Sequence, residues 1–234
     1  LADTFQMSEK DDALDGFVFQ TNSERAERQA ALDIRVIVGN PPYSVGQTSG
    51  NDNNANVSYP TLDAAIEKTY AARSTATNKN SLYDSYIRAI RWASNRIGDT
   101  GIIGFVTNGG FIDANTADGL RKTLIDENAS VYIYNLRGNA RTAGEQRQKE
   151  RGNAFGGGAR TTVSIAFLVK HPNHTGPATL HYRDIGDYLT REDKLATVDG
   201  DHLASIDWQT LTPNAAGDWI NQRGDEFDTY QPLG

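Results

Sequence analysis

Residues Val36 to Ser44 read V-I-V-G-N-P-P-Y-S, an apolar and β-branched run that ends in a polar residue, two prolines and an aromatic residue. This pattern predicts a buried strand that delivers a rigid loop to the carboxyl edge of a parallel sheet, where open α/β sheets bind ligands. Each proline fixes its own φ near about −65° and favours an extended residue before it. The carboxamide of Asn40 and the carbonyl of Pro41 should therefore be held in nearly fixed directions.

Two acceptors that converge on one point suit the activation of a planar nitrogen. In an exocyclic adenine amine the nitrogen lone pair is delocalised into the ring, and acceptors on both amine hydrogens would draw the nitrogen toward tetrahedral geometry. The ring of Tyr43 would offer a face on which a flipped base could stack. The alternative is a plain turn at the end of a strand, because Asn-Pro is a common turn signal. The whole pattern favours a ligand site.

The four residues from Asn40 to Tyr43 resemble the catalytic motif of the S-adenosylmethionine-dependent amino-methyltransferases, which include the DNA adenine-N6 enzymes. Protein-glutamine methyltransferases that act on release factors carry the same motif, so the motif alone leaves both substrates open. The resemblance implies that S-adenosylmethionine is the cofactor and that the catalytic residues are Asn40, Pro41, Pro42 and Tyr43.

The same resemblance implies a cofactor contact near the start of the sequence. In the adenine methyltransferases a strand-end Asp and a following aromatic residue precede the motif strand, and Asp3 and Phe5 are similar to that pair; with Asn40 they form the expected cofactor-binding set. The glycine-rich loop on which such a site is chiefly built is missing, because the only glycine before Gly39 is Gly16. We therefore expect a piece of a longer polypeptide that lacks most of its cofactor pocket and is inactive in isolation.

Composition narrows the class of protein. The chain has 234 residues, of which 38% are apolar and 23% charged, as expected for one globular domain or a domain with part of another. No apolar run approaches the roughly 20 residues of a membrane span. The absence of cysteine excludes disulfides and thiolate metal sites and fits a cytoplasmic setting. The four histidines form no metal-binding pattern, so no metal is expected.

A basic segment stands out in a chain whose net charge is −7. Residues Arg137 to Arg160 contain six basic and two acidic residues together with several glycines. A local excess of positive charge in an acidic chain is typical of a surface that faces DNA, and we expect Arg141 and Arg160 to contact it. The alternative is a solvated charged helix with a flexible tail.

Longer stretches resemble a narrower group, the methyltransferase region of Type ISP restriction-modification enzymes. They are residues 78–93, residues 136–145 (L-R-G-N-A-R-T-A-G-E) and residues 149–170, which contain K-E-R-G-N-A-F-G-G-G-A-R. Such enzymes join nuclease, helicase-like translocase, adenine-N6 methyltransferase and target-recognition domains in one polypeptide. The resemblance implies double-stranded DNA with a flipped adenine as partner, on which Phe155 would stack opposite Tyr43, together with the nuclease and helicase-like domains of the same polypeptide.

The resemblance and the periodicity together predict an α/β fold: a partial, Rossmann-like methyltransferase sheet, truncated at its N-terminal side. Apolar runs predict strands at 101–107, 130–136 and 161–170, the last being the final strand of the sheet. Apolar residues at helical spacing predict helices at 59–72 and from Ser81 to Ile97. We expect residues 1–170 to be the C-terminal portion of the catalytic domain and residues 171–234 to be a linker and the beginning of a target-recognition region.

Two alternatives to an adenine methyltransferase remain open. A protein-glutamine N5 methyltransferase would use the same corner for an amide nitrogen, but it would need neither the basic segment nor a recognition region. A non-catalytic DNA-binding or scaffold module would bind DNA without affinity for the cofactor.

Overall fold

The chain is built around a mixed β-sheet with helices packed on it. The computed structural model describes residues 4–5, 9, 25, 27–42, 58–156 and 160–224. The strands are β1 (Val36–Gly39), β2 (Gly101–Asn108), β3 (Ser130–Arg137), β4 (Val163–Lys170), β5 (Thr179–Asp184) and β6 (Gln209–Leu211). The helices are α1 (Pro60–Ile66), α2 (Ser85–Arg96), α3 (Asp118–Glu127), α4 (Gly144–Glu150) and α5 (Arg191–Gly200). The predicted α/β class is confirmed.

The strand order in this sheet is β1-β2-β4-β3-β5-β6. β1 runs parallel to β2, and β3 runs parallel to β5, whereas β4 is antiparallel to both β2 and β3. The carboxyl ends of β1 and β2 therefore lie at the same edge as the amino end of β4. This edge is where the loop that begins at Asn40 leaves the sheet.

The predicted place of β4 is wrong. The strand at 163–170 is not the last one, because it lies between β2 and β3, and the sheet continues into β5 and β6 from beyond Lys170. An apolar run shows that a strand is buried, but it does not show which strands are its neighbours. The assignment of residues 171–234 to a linker and a recognition region stays a prediction, and residues 225–234 lie outside the described part.

The two predicted helices pack their apolar faces as expected. Leu62 and Ile66 of α1 are buried, and a wider helical turn at Glu67–Ala71 continues that face with Tyr70. In α2 the buried residues include Tyr86, Ile90 and Ala93, each of which the helical spacing predicts. The predicted start of the second helix at Ser81 is wrong, because residues 80–83 form a separate 3-10 turn and α2 begins at Ser85.

Strand β1 is more exposed than its apolar sequence predicts. Val36 and Val38 are 61% and 78% exposed, although both were expected to be buried. In the described part β1 has a single neighbouring strand, β2, and nothing there covers the face on which these two valines lie. Ile102 and Phe167, on the neighbouring strands, are also exposed and extend this apolar surface. Among the described residues no helix is long and apolar enough to cross a membrane.

Candidate functional site

The corner after β1 has one buried proline between two exposed residues. Asn40 and Pro42 are exposed and Pro41 is buried, directly beyond the last paired residue of β1, Gly39, which lies opposite Phe105 of β2. An exposed carboxamide next to a buried proline is anchored at its backbone yet accessible to a ligand. Tyr43, the fourth residue of the motif, lies outside the described residues.

The loop after β2 forms the neighbouring part of this edge. The Asn108 side chain is buried, and its Oδ1 accepts a hydrogen bond of 2.8 Å from the Gly110 amide. The Gly109 amide donates to the Thr162 carbonyl at 2.8 Å, which ties this loop to the segment before β4. Asn108 therefore stabilises the turn instead of presenting its carboxamide to a substrate. Phe111, in the same loop, is 1% exposed and belongs to the core.

A buried arginine, Arg121 of α3, binds the backbone of this same loop. Its guanidinium donates to the carbonyls of Phe111 at 3.0 Å and Ala114 at 2.8 Å, and to the Gly217 carbonyl at 2.6 Å. It also lies 3.3 Å from the carboxylate of Asp218. Burial lowers the pKa of Arg121, and the neighbouring carboxylates oppose that shift.

Asp218 completes the network from the other side. Its carboxylate accepts two hydrogen bonds from Arg223, at 2.9 and 3.0 Å, and one from Asn214 at 3.1 Å. The hydrogen bonds from Arg223 are the largest cause of the fall in the pKa of Asp218 to about 2. Sequence reasoning missed this network, because Arg121 and Asp218 are 97 residues apart in the chain.

Part of the basic segment serves the fold. Arg137 has a left-handed backbone, with φ 57°, and its guanidinium pairs with Asp184 at 2.6 Å and with Asp187. The buried carboxylate of Glu150 accepts hydrogen bonds from the amides of Gly138 at 2.7 Å and Asn139 at 3.0 Å. Arg137 and Glu150 thus form contacts within the protein, and their charges are not available to bind DNA.

Other cations of the segment point to solvent. Arg141, Arg147 and Arg160 are exposed, and within the described ranges none of them takes part in an ion pair. Exposed guanidinium groups on a segment of otherwise defined shape suit contacts with a polyanion. The prediction that Arg141 and Arg160 contact DNA is compatible with this geometry and stays a prediction.

Phe155 is presented by a defined turn. Its side chain is 44% exposed, and its amide donates to Oδ1 of Asn153 at 3.0 Å. The Asn153 amide group donates in turn to the Gly138 carbonyl at 3.1 Å and the Thr161 carbonyl at 2.9 Å. An exposed aromatic ring on an anchored turn fits the predicted stacking role, although residues 157–159, which follow, lie outside the described part.

The predicted cofactor residues are described only in part. The ring of Phe5 packs edge-on against Tyr59, with centroids 5.3 Å apart, and 6.5 Å from the ring of Trp92. Asn40 is exposed, and Asp3 lies outside the described residues. A half-buried phenyl ring and an exposed carboxamide suit the apolar and hydrogen-bonding parts of a nucleoside. Nearby, the carboxylate of Glu9 accepts hydrogen bonds from the amides of Thr61 and Leu62, a helix cap that the sequence did not reveal.

A cavity of about 370 Å³ lies on another part of the sheet. It is lined mostly by apolar and aromatic side chains, among them Tyr132, Phe167 and Trp208, and by none of the predicted site residues. In the described part of the chain no group of three or more histidine, aspartate or glutamate side chains could hold a metal ion.

The sequence was compared with models of protein families and with curated proteins. The family model of the Eco57I restriction-modification methylase matches residues 4–141, which is more than half of the chain. No curated protein matches the sequence.

Three solved structures are similar to this chain. The first is a nuclease-deletion mutant of the Type ISP restriction-modification enzyme LlaGI in complex with a DNA substrate mimic, at 49% identity and a TM-score of 0.90 over 100% of this chain and 19% of that one. The second is the ATP-dependent Type ISP restriction-modification enzyme LlaBIII bound to DNA, at 44% identity and a TM-score of 0.88 over 97% of this chain and 16% of that one. The third is a DrdV–DNA complex, at 39% identity and a TM-score of 0.80 over 88% of this chain and 20% of that one.

The chain thus spans about a fifth or less of the length of the solved structures that it matches. The family match begins at Thr4 and includes the whole of β1, α1, α2, β2, α3 and β3. This chain belongs to the Eco57I restriction-modification methylase family.

Proposed function

We propose that this chain is the acceptor-side part of an S-adenosylmethionine-dependent DNA methyltransferase, and that the longer enzyme transfers a methyl group to the N6 amine of adenine. The observation that carries the proposal is the position of Asn40, exposed directly beyond the carboxyl end of β1 in a chain of the methylase family. Ligands of open α/β sheets bind at this edge.

The chemistry follows from the two acceptors at the corner. The carboxamide oxygen of Asn40 and the carbonyl of Pro41 accept the two hydrogens of the adenine amine, so the nitrogen lone pair is no longer shared fully with the ring. When bound, S-adenosylmethionine supplies a methyl group on a positively charged sulfur. Asn40 and Pro41 would hold the amine so that its nitrogen faces this methyl group, and one amine proton would pass to water after the transfer.

Stacking holds the target base in place. A base that has left the duplex is bound by aromatic faces and by hydrogen bonds to its edge. Tyr43 of the motif and the exposed ring of Phe155 form the two faces in this proposal, and Asp3 and Phe5 contact the cofactor adenine. The anchoring of Phe155 by Asn153 supports its role, because a stacking ring must be held in one position.

Binding of the duplex is assigned to the basic segment. The exposed guanidinium groups of Arg141 and Arg160 contact backbone phosphates, where they position the DNA without reading its sequence. The matched structures of LlaGI, LlaBIII and DrdV each contain DNA or a DNA mimic, which supports this assignment. We further propose that the chain is part of a longer polypeptide with nuclease and helicase-like domains, and that it does not methylate DNA in isolation.

Substitution of Asn40 tests the function. In the full-length enzyme Asn40→Ala should lower transfer of labelled methyl groups to duplex DNA by at least about 100-fold, because the acceptor of one amine hydrogen is lost. Asn173→Ala is the matched control, since it removes an exposed carboxamide in the turn between β4 and β5. Retained transfer in a folded Asn40→Ala enzyme contradicts the proposal.

The same assay distinguishes DNA from protein as the methyl acceptor. A protein-glutamine methyltransferase would label a protein substrate in place of DNA, and a DNA-binding module would label neither. Incorporation into DNA that is abolished by Asn40→Ala and retained in Asn173→Ala supports the adenine methyltransferase.

A further inference from the structure

Lys194 of α5 is a completely buried cation. Its side chain is 0% exposed, and its Nζ donates hydrogen bonds to the carbonyls of Glu150 at 3.1 Å, Arg151 at 2.9 Å and Gly152 at 2.8 Å. Glu150 is the last residue of α4 and the other two follow it directly, at a helix end that leaves acceptors without partners and carries partial negative charge. One ammonium group thus satisfies three acceptors.

Burying this charge has an energetic cost. Loss of water around the ammonium lowers the pKa of Lys194 to about 8, and the carboxylate of Glu150 opposes the shift. An apolar side chain would fill the same volume without that cost. The contribution of Lys194 to the structure is therefore its three hydrogen bonds, which stabilise the backbone turn at residues 150–152.

The beginning of α5 touches this segment closely. Gly152 has a left-handed backbone, with φ +52°, and a Cβ atom on it would lie only 2.4 Å from the Arg191 amide nitrogen. The Nε of Arg191 donates to the Ala154 carbonyl at 3.2 Å. The segment 150–154 is thus held on one side by Lys194, Arg191 and a backbone contact that only glycine allows.

Phe155 follows directly after these residues. Asn153 ties the segment to the carbonyls of Gly138 and Thr161 and accepts the hydrogen bond from the Phe155 amide. If Lys194 lost its ammonium, the turn at 150–152 would lose three hydrogen bonds, and the contacts of Arg191 and Asn153 would remain to hold the segment before Phe155. A shift of even about 1 Å in a positioning group can lower a reaction rate about 100-fold.

We propose that Lys194 is a positioning residue, which holds Phe155 where it stacks on the flipped adenine by fixing the turn at Glu150–Gly152. The inference rests on the function proposed above, in which Phe155 contacts the base. Because α5 lies in the segment 171–234, expected to lead into the target-recognition region, the same contacts link that region to base stacking.

The test uses the full-length enzyme with two duplexes: one keeps the target adenine, for methylation kinetics, and the other carries 2-aminopurine in place of that adenine, for fluorescence. Lys194→Met keeps the length of the side chain but removes the ammonium. We expect kcat for methylation to fall about 10-fold or more with little change in KM for DNA. The long-lived component of 2-aminopurine fluorescence should grow, because a flipped base that is not stacked emits for longer.

Lys170→Met is the matched control. Lys170 donates to the Ser94 carbonyl at 2.9 Å and lies at the opposite end of β4 from the site, and burial lowers its pKa as well. This variant should lose stability without a change in kcat or fluorescence lifetime.

The outcomes separate the two proposals. Failure of the wild-type enzyme to methylate DNA overturns the proposed function itself. Activity in the wild type, with kcat and fluorescence lifetimes of Lys194→Met equal to those of Lys170→Met, overturns only the role of Lys194. If Lys194→Met does not fold, Arg191→Met is tested in its place, because Arg191 is exposed and donates to the Ala154 carbonyl of the same segment. Unchanged kcat and fluorescence lifetimes in Arg191→Met overturn the proposal. A change in both supports it.

Discussion

The ring of Phe111 meets the ring of Trp219 edge-on, with the centroids 6.0 Å apart and the ring planes at 81°. Phe111 lies in the turn after β2, beside the candidate site, whereas Trp219 comes from the segment beyond β6. Both side chains are almost completely buried. The segment after Lys170 is therefore part of the core that supports the site.

Replacement of Trp219 should destabilise the protein strongly. We expect Trp219→Ala to lower the free energy of unfolding by about 3–5 kcal/mol, because it leaves a cavity against Phe111. Urea unfolding followed by circular dichroism measures the change. Leu203→Ala, at a side chain 58% exposed, is the control and should change stability by less than about 0.5 kcal/mol. Similar effects of the two substitutions would show that Trp219 is not part of the core.

Acid should weaken the network around Asp218. Hydrogen bonds from Arg223 lower the folded-state pKa of Asp218 from its ordinary value of 3.8 to about 2, so its ionised form stabilises the fold. This contribution is complete above the unfolded-state pKa and is lost as the pH falls from about 5 to about 2. It amounts to about 2–3 kcal/mol, at about 1.4 kcal/mol for each pKa unit.

Urea unfolding of the wild type and Asp218→Asn across that pH range checks this expectation. The variant should be less stable near neutral pH and should lose less stability on acidification. Parallel curves for the two proteins would mean that the pKa of Asp218 is not lowered in the folded state.

Two helical glycines should respond to alanine with opposite signs. A Cβ on Gly119, in the first turn of α3, would lie 1.9 Å from the Tyr70 carbonyl oxygen, whereas a Cβ on Gly200, at the end of α5, would meet nothing within 4 Å. We expect Gly119→Ala to destabilise the protein by about 1–3 kcal/mol through overpacking. Gly200→Ala should stabilise it by about 0.5 kcal/mol, because the unfolded chain loses freedom. Thermal unfolding of both variants measures the signs, and a Gly119→Ala protein as stable as the wild type would contradict the close approach at Gly119.

The basic segment should determine how DNA affinity depends on salt. In the full-length enzyme the double variant Arg141→Gln, Arg160→Gln should weaken binding to all duplexes similarly, and should reduce the slope of log affinity against log salt concentration by about 2. The control is Arg35→Gln, at an exposed arginine that pairs with Asp33 before β1. An unchanged slope in the double variant would remove these two arginines from the DNA interface.

Local patterns in the sequence predicted the parts of this structure that depend on neighbours in the chain. The apolar run before Asn40 indicated β1, and helical spacing indicated the buried faces of α1 and α2. Pro60 lies in the first turn of α1, as its fixed φ and missing amide hydrogen lead one to expect. The Asn-Pro-Pro-Tyr corner identified the edge of the sheet at which to look for a site, because prolines restrict the backbone wherever they occur.

Tertiary structure alone decided which elements meet. The place of β4 between β2 and β3, and the continuation of the sheet into β5 and β6, depend on pairings between strands far apart in the chain. Lys194 lies 42 to 44 residues from the carbonyls that it binds, and its sequence surroundings are those of an ordinary exposed helix. A residue pattern reports which face of an element is apolar, but a partner for a buried charge is chosen only when distant segments pack together.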